Sequence, residues 1–275
     1  MANLMQQPHR KSDDSLASWV DAIPSTGRYG FTREEGLGAL GMSRGAFNRA
    51  AGRLAARKRV ARVRGSFYVV VPLEHLAAGM IPAEWFVVDL MKALGRPFYI
   101  GGLTAAEYHG AAHQKSQWFH VVTDQPVRDI ICRGVGLRFF AKEGISSTPA
   151  LSIKGVTGYL PVSSPEATAV DLVRYARRLG GLNHVLTVLQ ELGERLNARK
   201  LVEAVRLDGH VAYGQRLGWL LERAGHSGKT GPLAKWVAAA RPFDAKLEPS
   251  LPVRGGVRAA RWLLRINADV EGDLP

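Results

Sequence analysis

The stretch SRGAFNRAAGRLAARKRVARVRG, residues 43–65, decides the fold of the first part of this chain. Ser43 is a good N-cap ahead of a helix-forming run. At about 100° per residue, Phe47, Ala50 and Leu54 fall together and must face other helices. Asn48, Gly52 and Ala56 fall opposite, flanked by Arg44 on one side and by Arg49 and Arg53 on the other. A merely solvated basic helix would carry its long charges on the face farthest from the core. Small residues at the centre of that face instead let the helix backbone enter a groove ~12 Å wide, with arginines reaching out to phosphates or base edges. Arg57, Lys58, Arg59, Arg62 and Arg64 extend the charge, and residues 41–72 hold no Asp or Glu to balance it.

Upstream, Leu16, Trp19, Val20 and Ile23 recur at helical spacing until Pro24-Ser25-Thr26-Gly27 breaks the chain. Thr32-Arg33-Glu34-Glu35 reads as a capping box opening a short second helix, with Leu37 and Leu40 inward and Gly41 placed to end it in the left-handed conformation. A tight Gly41-Met42 turn then leads to the helix capped by Ser43, which is a helix-turn-helix. Downstream, residues 60–63 alternate, Arg64-Gly65-Ser66 supplies a turn, and residues 67–71 form a second strand ended by Pro72. The expectation is a winged helix over residues 1–72, its third helix in the major groove and its hairpin tip, with Arg62 and Arg64, beside the backbone. Candidate DNA-binding residues are Arg44, Asn48, Arg49, Arg53, Arg57, Arg62 and Arg64. Asn48 suits a bidentate bond to adenine, and Arg44 or Arg49 one to guanine.

The whole chain has 275 residues, 46% hydrophobic and 22% charged, enough for a buried core and for two domains. Its net charge of +13 favours a polyanionic partner, nucleic acid before an anionic membrane. Cys132 is the only cysteine, which rules out a disulfide within this chain and a cysteine-built zinc site. Residues 1–15 lack a secretory pattern, and no run approaches the ~18 apolar residues of a membrane span. The expected setting is the cytoplasm.

Residues 73–275 read as a larger mixed α/β domain. A helix is expected over 81–94, with Trp85, Val88, Leu90 and Leu94 as its stripe. In residues 99–114 a short strand and two glycines precede a helix opened by a second capping box, Thr104 to Glu107, so Glu107 reads as a cap rather than a catalytic carboxylate. His109 and His113 have the spacing of two metal ligands but lack the HExxH glutamate and a third ligand, and read as packing or surface histidines. Strands follow over 118–162, Ser164-Pro165-Glu166 starts a helix, and further helices are expected over 167–179, 182–193, 198–207, 213–224 and 233–240. Residues 261–267 read as a terminal strand, and residues 225–230 as a loop rather than a phosphate-binding loop. Acidic residues are scattered rather than paired as a nuclease metal site requires, Glu166 and Asp171 being the two to place in space. The fold class is thus α+β, an N-terminal winged helix-turn-helix followed by a mixed α/β C-terminal domain. The chain reads as non-enzymatic, without cofactor or metal. The alternative is a nuclease-like enzyme docking through the winged helix, which needs a carboxylate cluster that is not legible. A protein-interaction module is disfavoured by the one-signed charge.

The winged-helix start, the ribbon ending FYVVVP, the central YIGGLTAAEYHG, the helix start SPEATAVDLV and the closing LEPSLPVRGG and RWLLRIN together resemble the AbiEi-like antitoxins of type IV toxin-antitoxin (abortive infection) systems. The resemblance spans nearly the whole chain through the order and spacing of these segments. It implies an N-terminal winged helix that binds inverted repeats in the promoter of its own operon, with Arg44, Asn48, Arg49 and Arg53 as helix contacts and Arg62 and Arg64 as wing contacts. It also implies a C-terminal domain required for antitoxicity, and a nucleotidyltransferase-like toxin countered without a stable complex. Some relatives carry a nuclease-like C-terminal domain, whose Asp and Glu-x-Lys pattern is not evident in this sequence.

Overall fold

The computed structural model describes residues 9–111, 116–253 and 257–272. The chain opens with α1 (His9–Ala22), β1 (Gly30–Thr32), α2 (Arg33–Leu40), α3 (Arg44–Ala56), β2 (Val60–Arg64) and β3 (Phe67–Val70), the element order expected of a winged helix. The local signals act as their chemistry dictates. Thr32 Oγ1 accepts from the Glu35 amide while the Glu35 carboxylate accepts from the Thr32 amide, closing the capping box. Gly41 ends α2 at φ 60°, and Ser43 Oγ accepts from the Ala46 amide at 3.3 Å to start α3.

The strands form an antiparallel sheet ordered β1-β3-β2, and both of its faces are covered. Val60, Tyr68 and Val70 join Leu16, Val20, Phe31, Phe47, Ala50 and Leu54 in one core. Ala61, Phe67, Val69 and Val71 join Ile81, Phe86, Leu90, Ile100, Val121 and Phe139 in another. A continuous apolar run such as residues 67–71 is the pattern of a strand buried on both sides. The hairpin is therefore a wall between the first helices and the rest of the chain, rather than a ribbon standing free. The joint is close at Gly30, where a Cβ would lie 2.5 Å from the Phe67 ring and 2.6 Å from Asp89 Cβ. The Gly30 amide donates to Asp89 Oδ2 at 2.9 Å, and Arg28 Nε donates to Asp89 Oδ1 at 3.1 Å.

The remainder comprises α4 (Val87–Ala93), β4 (Phe98–Ile100), α5 (Gly102–Tyr108), β5 (Trp118–Thr123), β6 (Ile130–Cys132), β7 (Val135–Ala141), β8 (Ala150–Gly155) and β9 (Gly158–Ser163). These precede α6 (Pro165–Arg174), α7 (Gly181–Arg195), α8 (Ala198–Asp208), α9 (Val211–Arg223), α10 (Ser227–Ala240), β10 (Ala245–Lys246), β11 (Val257–Ala259) and β12 (Leu264–Ile266). β4 to β9 build a mixed sheet in the order β6-β7-β5-β4-β9-β8, and β10, β12 and β11 a small one. Period-two alternation divides the larger sheet between two cores. Tyr99, Val122 and Phe140 face the helices, while Ile100, Val121, Leu137 and Phe139 face the N-terminal sheet and α4.

Several expectations are corrected. The helix expected over 81–94 is α4 alone, preceded by a 3-10 turn at Ala83–Trp85, because Pro82 sets up a separate short turn and Phe86, at φ −131°, interrupts the helical path. Thr104 is not a cap: α5 begins after Gly101, and the Thr104 hydroxyl accepts from the His120 amide at 2.9 Å and donates to the Trp118 carbonyl at 3.3 Å. Glu107 accepts from the Ser116 amide. The stretch 225–230 is not a loop throughout, since α10 begins at Ser227 and Thr230 is buried with its hydroxyl on the Ser227 carbonyl. The strand expected over 261–267 is a 3-10 turn, Ala260–Trp262, followed by β12.

Trp262 buries its ring against α9 and donates Nε1 to Glu222 Oε2 at 2.8 Å. A Cβ at Gly218 would lie 2.1 Å from that ring. Gly218→Ala is therefore expected to lower stability by about 1–3 kcal/mol through overpacking. A fall in the urea midpoint at unchanged slope checks this, and an unchanged midpoint contradicts it.

Candidate nucleic-acid interface

Phe47, fully buried, anchors α3 against α1 and the sheet, and so fixes which side of the helix faces water. Arg44, Asn48, Arg49, Gly52, Arg53, Ala56 and Arg57 are exposed. Arg44, Asn48 and Gly52 line a groove of about 470 Å³ between α3 and the hairpin, together with Arg33, Arg62 and Tyr68. Arg49 and Arg53 lie toward the other flank of the helix, and Arg57 sits at its C-terminal cap. Three of the sequence-selected residues, Arg44, Asn48 and Arg62, are thus brought together, while Arg49, Arg53 and Arg57 form a second exposed group along the same helix.

The hairpin arginines do not project freely. Arg62 Nε donates to the Gly65 carbonyl at 2.6 Å, folding the side chain back over its own turn. Arg64 is half-buried and donates to the Arg128 carbonyl at 2.9 Å, so it also joins the hairpin to the segment before β6. Arg59 pairs with Asp21 and is committed to holding α1.

Sequence reasoning missed Arg33 and Arg133 at this surface. Arg33 is hidden in the capping box, where the pattern draws attention to Thr32 and Glu35. Arg133 donates to the Gly79 carbonyl at 2.7 Å and, across 78 residues of sequence, to the Ala55 carbonyl at 3.1 Å near the end of α3. No local pattern announces such a contact.

Glu166, Asp171 and Asp208 are engaged in contacts within the second part. Glu166 is buried and accepts from the Asn197 amide at 2.9 Å, tying α6 to the start of α8. Asp171, on α6, accepts from the Tyr99 hydroxyl at 2.9 Å and lies 3.6 Å from Lys142 Nζ. Asp208, at the end of α8, meets Lys142 Nζ at 3.0 Å and Arg174 at 3.2 Å. Burial pushes the Asp171 carboxyl up to about 6, against the opposing pull of Lys142. The carboxylates of Asp171 and Asp208 are thus already paired with two cations and a phenol. His109 bonds through Nε2 to the Ser163 carbonyl at 2.7 Å, and His113 lies outside the described residues. Among the described residues no group of three or more His, Cys, Asp and Glu side chains is arranged to hold a metal ion. Among the same residues no helix is long and apolar enough to cross a membrane.

The architecture defines a mixed α+β protein that carries a basic helix and hairpin at one end, joined through a shared core to a sheet-and-helix body. Residues 99–223, from β4 to the end of α9, match the family described as AbiEi antitoxin C-terminal domain, the family that the sequence segments resemble. The crystal structure of the RV2827C protein from Mycobacterium tuberculosis is similar in fold, with a TM-score of 0.63 at 16% identity, covering 91% of this chain and 90% of that one. No curated protein matches the chain.

Proposed function

We propose that this protein is a DNA-binding transcriptional autorepressor and the antitoxin of a type IV toxin-antitoxin pair, acting in the cytoplasm on repeats in its own promoter. The observation that carries the DNA reading is the groove beside α3, lined by Arg33, Arg44, Asn48 and Arg62 without a carboxylate among its lining residues. Such a surface matches a phosphate backbone flanking the major groove, and Asn48 and Arg49 are of the types that read base edges. The antitoxin reading is supported by the family match over residues 99–223. By the resemblance, the toxin is a nucleotidyltransferase-like enzyme countered without a stable complex. In this reading residues 1–72 are the DNA-binding domain and residues 73–275 the antitoxin-type domain, and the chain is not an enzyme.

A reporter gene fused to the DNA upstream of the protein's own gene tests the reading. Supplying the chain is expected to reduce expression, and supplying the variant with Arg44, Asn48 and Arg49 all replaced by Ala is expected to leave it high. Equal expression with and without the wild-type chain would contradict autorepression.

A further inference from the structure

Arg33 lies outside both the recognition helix and the hairpin, yet it lines the groove between them. It is the first residue of α2, and its amide donates to the Ser66 carbonyl at 2.8 Å, which locks the start of α2 to the turn of the hairpin. Its side chain is only 15% exposed. One terminal nitrogen reaches Glu34 Oε1 at 3.2 Å, and Glu34 lies largely in solvent at 61% exposure. The Nε atom is buried and has no hydrogen-bond partner. A donor removed from water with nothing to accept its proton is costly. Arg33 also lines a groove of about 470 Å³, together with Arg44 and Arg62. Its floor is rigid, since the Tyr68 ring stacks on Phe31 at 5.6 Å and meets Phe47 edge-on at 5.7 Å. At Gly52 a Cβ would meet nothing within 4 Å, so the wall along α3 is open to an incoming chain.

We propose that this groove holds the phosphodiester backbone of one DNA strand and that Arg33 is a phosphate-binding residue in it, acting with Arg44 across the groove and Arg62 on the hairpin. The assignment rests on the DNA reading above and adds to it a contact from α2, outside the recognition helix and the wing. Three arginines that line one groove from three different elements suit an anionic oxygen whose position is fixed by the backbone and not by the base sequence. Arg33 therefore positions the duplex and carries no sequence information.

The test is a fluorescence-anisotropy titration of the full chain against two labelled duplexes, the DNA upstream of its own gene and a shuffled version, across a series of salt concentrations. Arg33→Gln is expected to weaken binding to both duplexes by the same factor, about tenfold, the loss of one charge-assisted hydrogen bond. It should also make the log-log salt slope shallower by about 0.9, one phosphate fewer. Arg33→Lys keeps the charge but not the fork, so it is expected to retain the wild-type slope and lose affinity a few-fold on both duplexes. This second variant decides the matter if Arg33→Gln proves unstable on melting. Wild-type affinity and slope in both variants would overturn the assignment, as would a loss confined to the upstream duplex, which would make Arg33 a base reader. If the wild-type chain itself binds neither duplex, the DNA reading fails and takes this assignment with it.

Discussion

Asp208→Ala is expected to lower stability by about 3–5 kcal/mol, the cost of leaving a buried cation without its partner. Lys142 and Asp208 have side chains 4% and 0% exposed and meet at 3.0 Å, and Arg174 reaches the same carboxylate at 3.2 Å. Without Asp208, Lys142 keeps only Asp171, at 3.6 Å. These residues come from the end of β7, from α6 and from α8, so the cluster fastens two helices to the sheet within the segment that matches the antitoxin family. Urea unfolding at neutral pH measures the loss, and a midpoint within error of wild type would show that the pair contributes little.

Asp171 provides the contrast within the same cluster. Burial disfavours its charge and pushes the folded carboxyl up to about 6 from its ordinary value of 3.8. Between those two values the native state holds a proton that the unfolded chain has released, so this group's contribution to stability grows as pH falls from 6 toward 3.8 and is lost as pH rises through 6. Asp171→Asn is expected to keep an acceptor for the Tyr99 hydroxyl while removing that pH dependence. The difference in unfolding free energy between wild type and Asp171→Asn, measured at pH 5 and pH 7, reads it directly.

The second large effect is on DNA. Replacing Arg44, Asn48 and Arg49 together is expected to remove the preference for the upstream duplex over shuffled DNA, because each lost bidentate base contact accounts for about 1–3 kcal/mol of discrimination. A residual, sequence-blind affinity should survive through the remaining arginines and stay salt-sensitive. For the wild type, if ~6 phosphates are neutralised the log-log salt slope is about −5. Retention of full preference by the triple variant would mean that another element reads the bases.

The local part of this fold was legible in the sequence. The Thr32 capping box, the Gly41 terminus, the Ser43 cap and the inward face of Phe47, Ala50 and Leu54 each depend on residues within a few positions of one another, and all are found in place. Errors arose where a tertiary partner decides. Thr104 resembles a cap in sequence, but its hydroxyl is taken by β5, and Thr230 resembles part of a loop until packing draws it into α10. The hairpin reads as a projecting wing, and the signal that it is covered on both faces was present in the unbroken run of residues 67–71. Of the candidate interface, the exposed face of α3 was legible from helical periodicity. Arg33 and Arg133 were not, because what places them is a groove and a pair of carbonyls contributed by distant segments.

The measurement that bears most directly on the account is a gel-shift titration of the full chain on the DNA immediately upstream of its own gene, against shuffled DNA, at two salt concentrations and beside the Arg44, Asn48 and Arg49 triple variant. The account predicts tight, salt-sensitive binding that prefers the upstream DNA, with that preference lost in the variant. Equal affinity for both DNAs, unchanged in the variant, would contradict it and leave α3 as a generic basic surface.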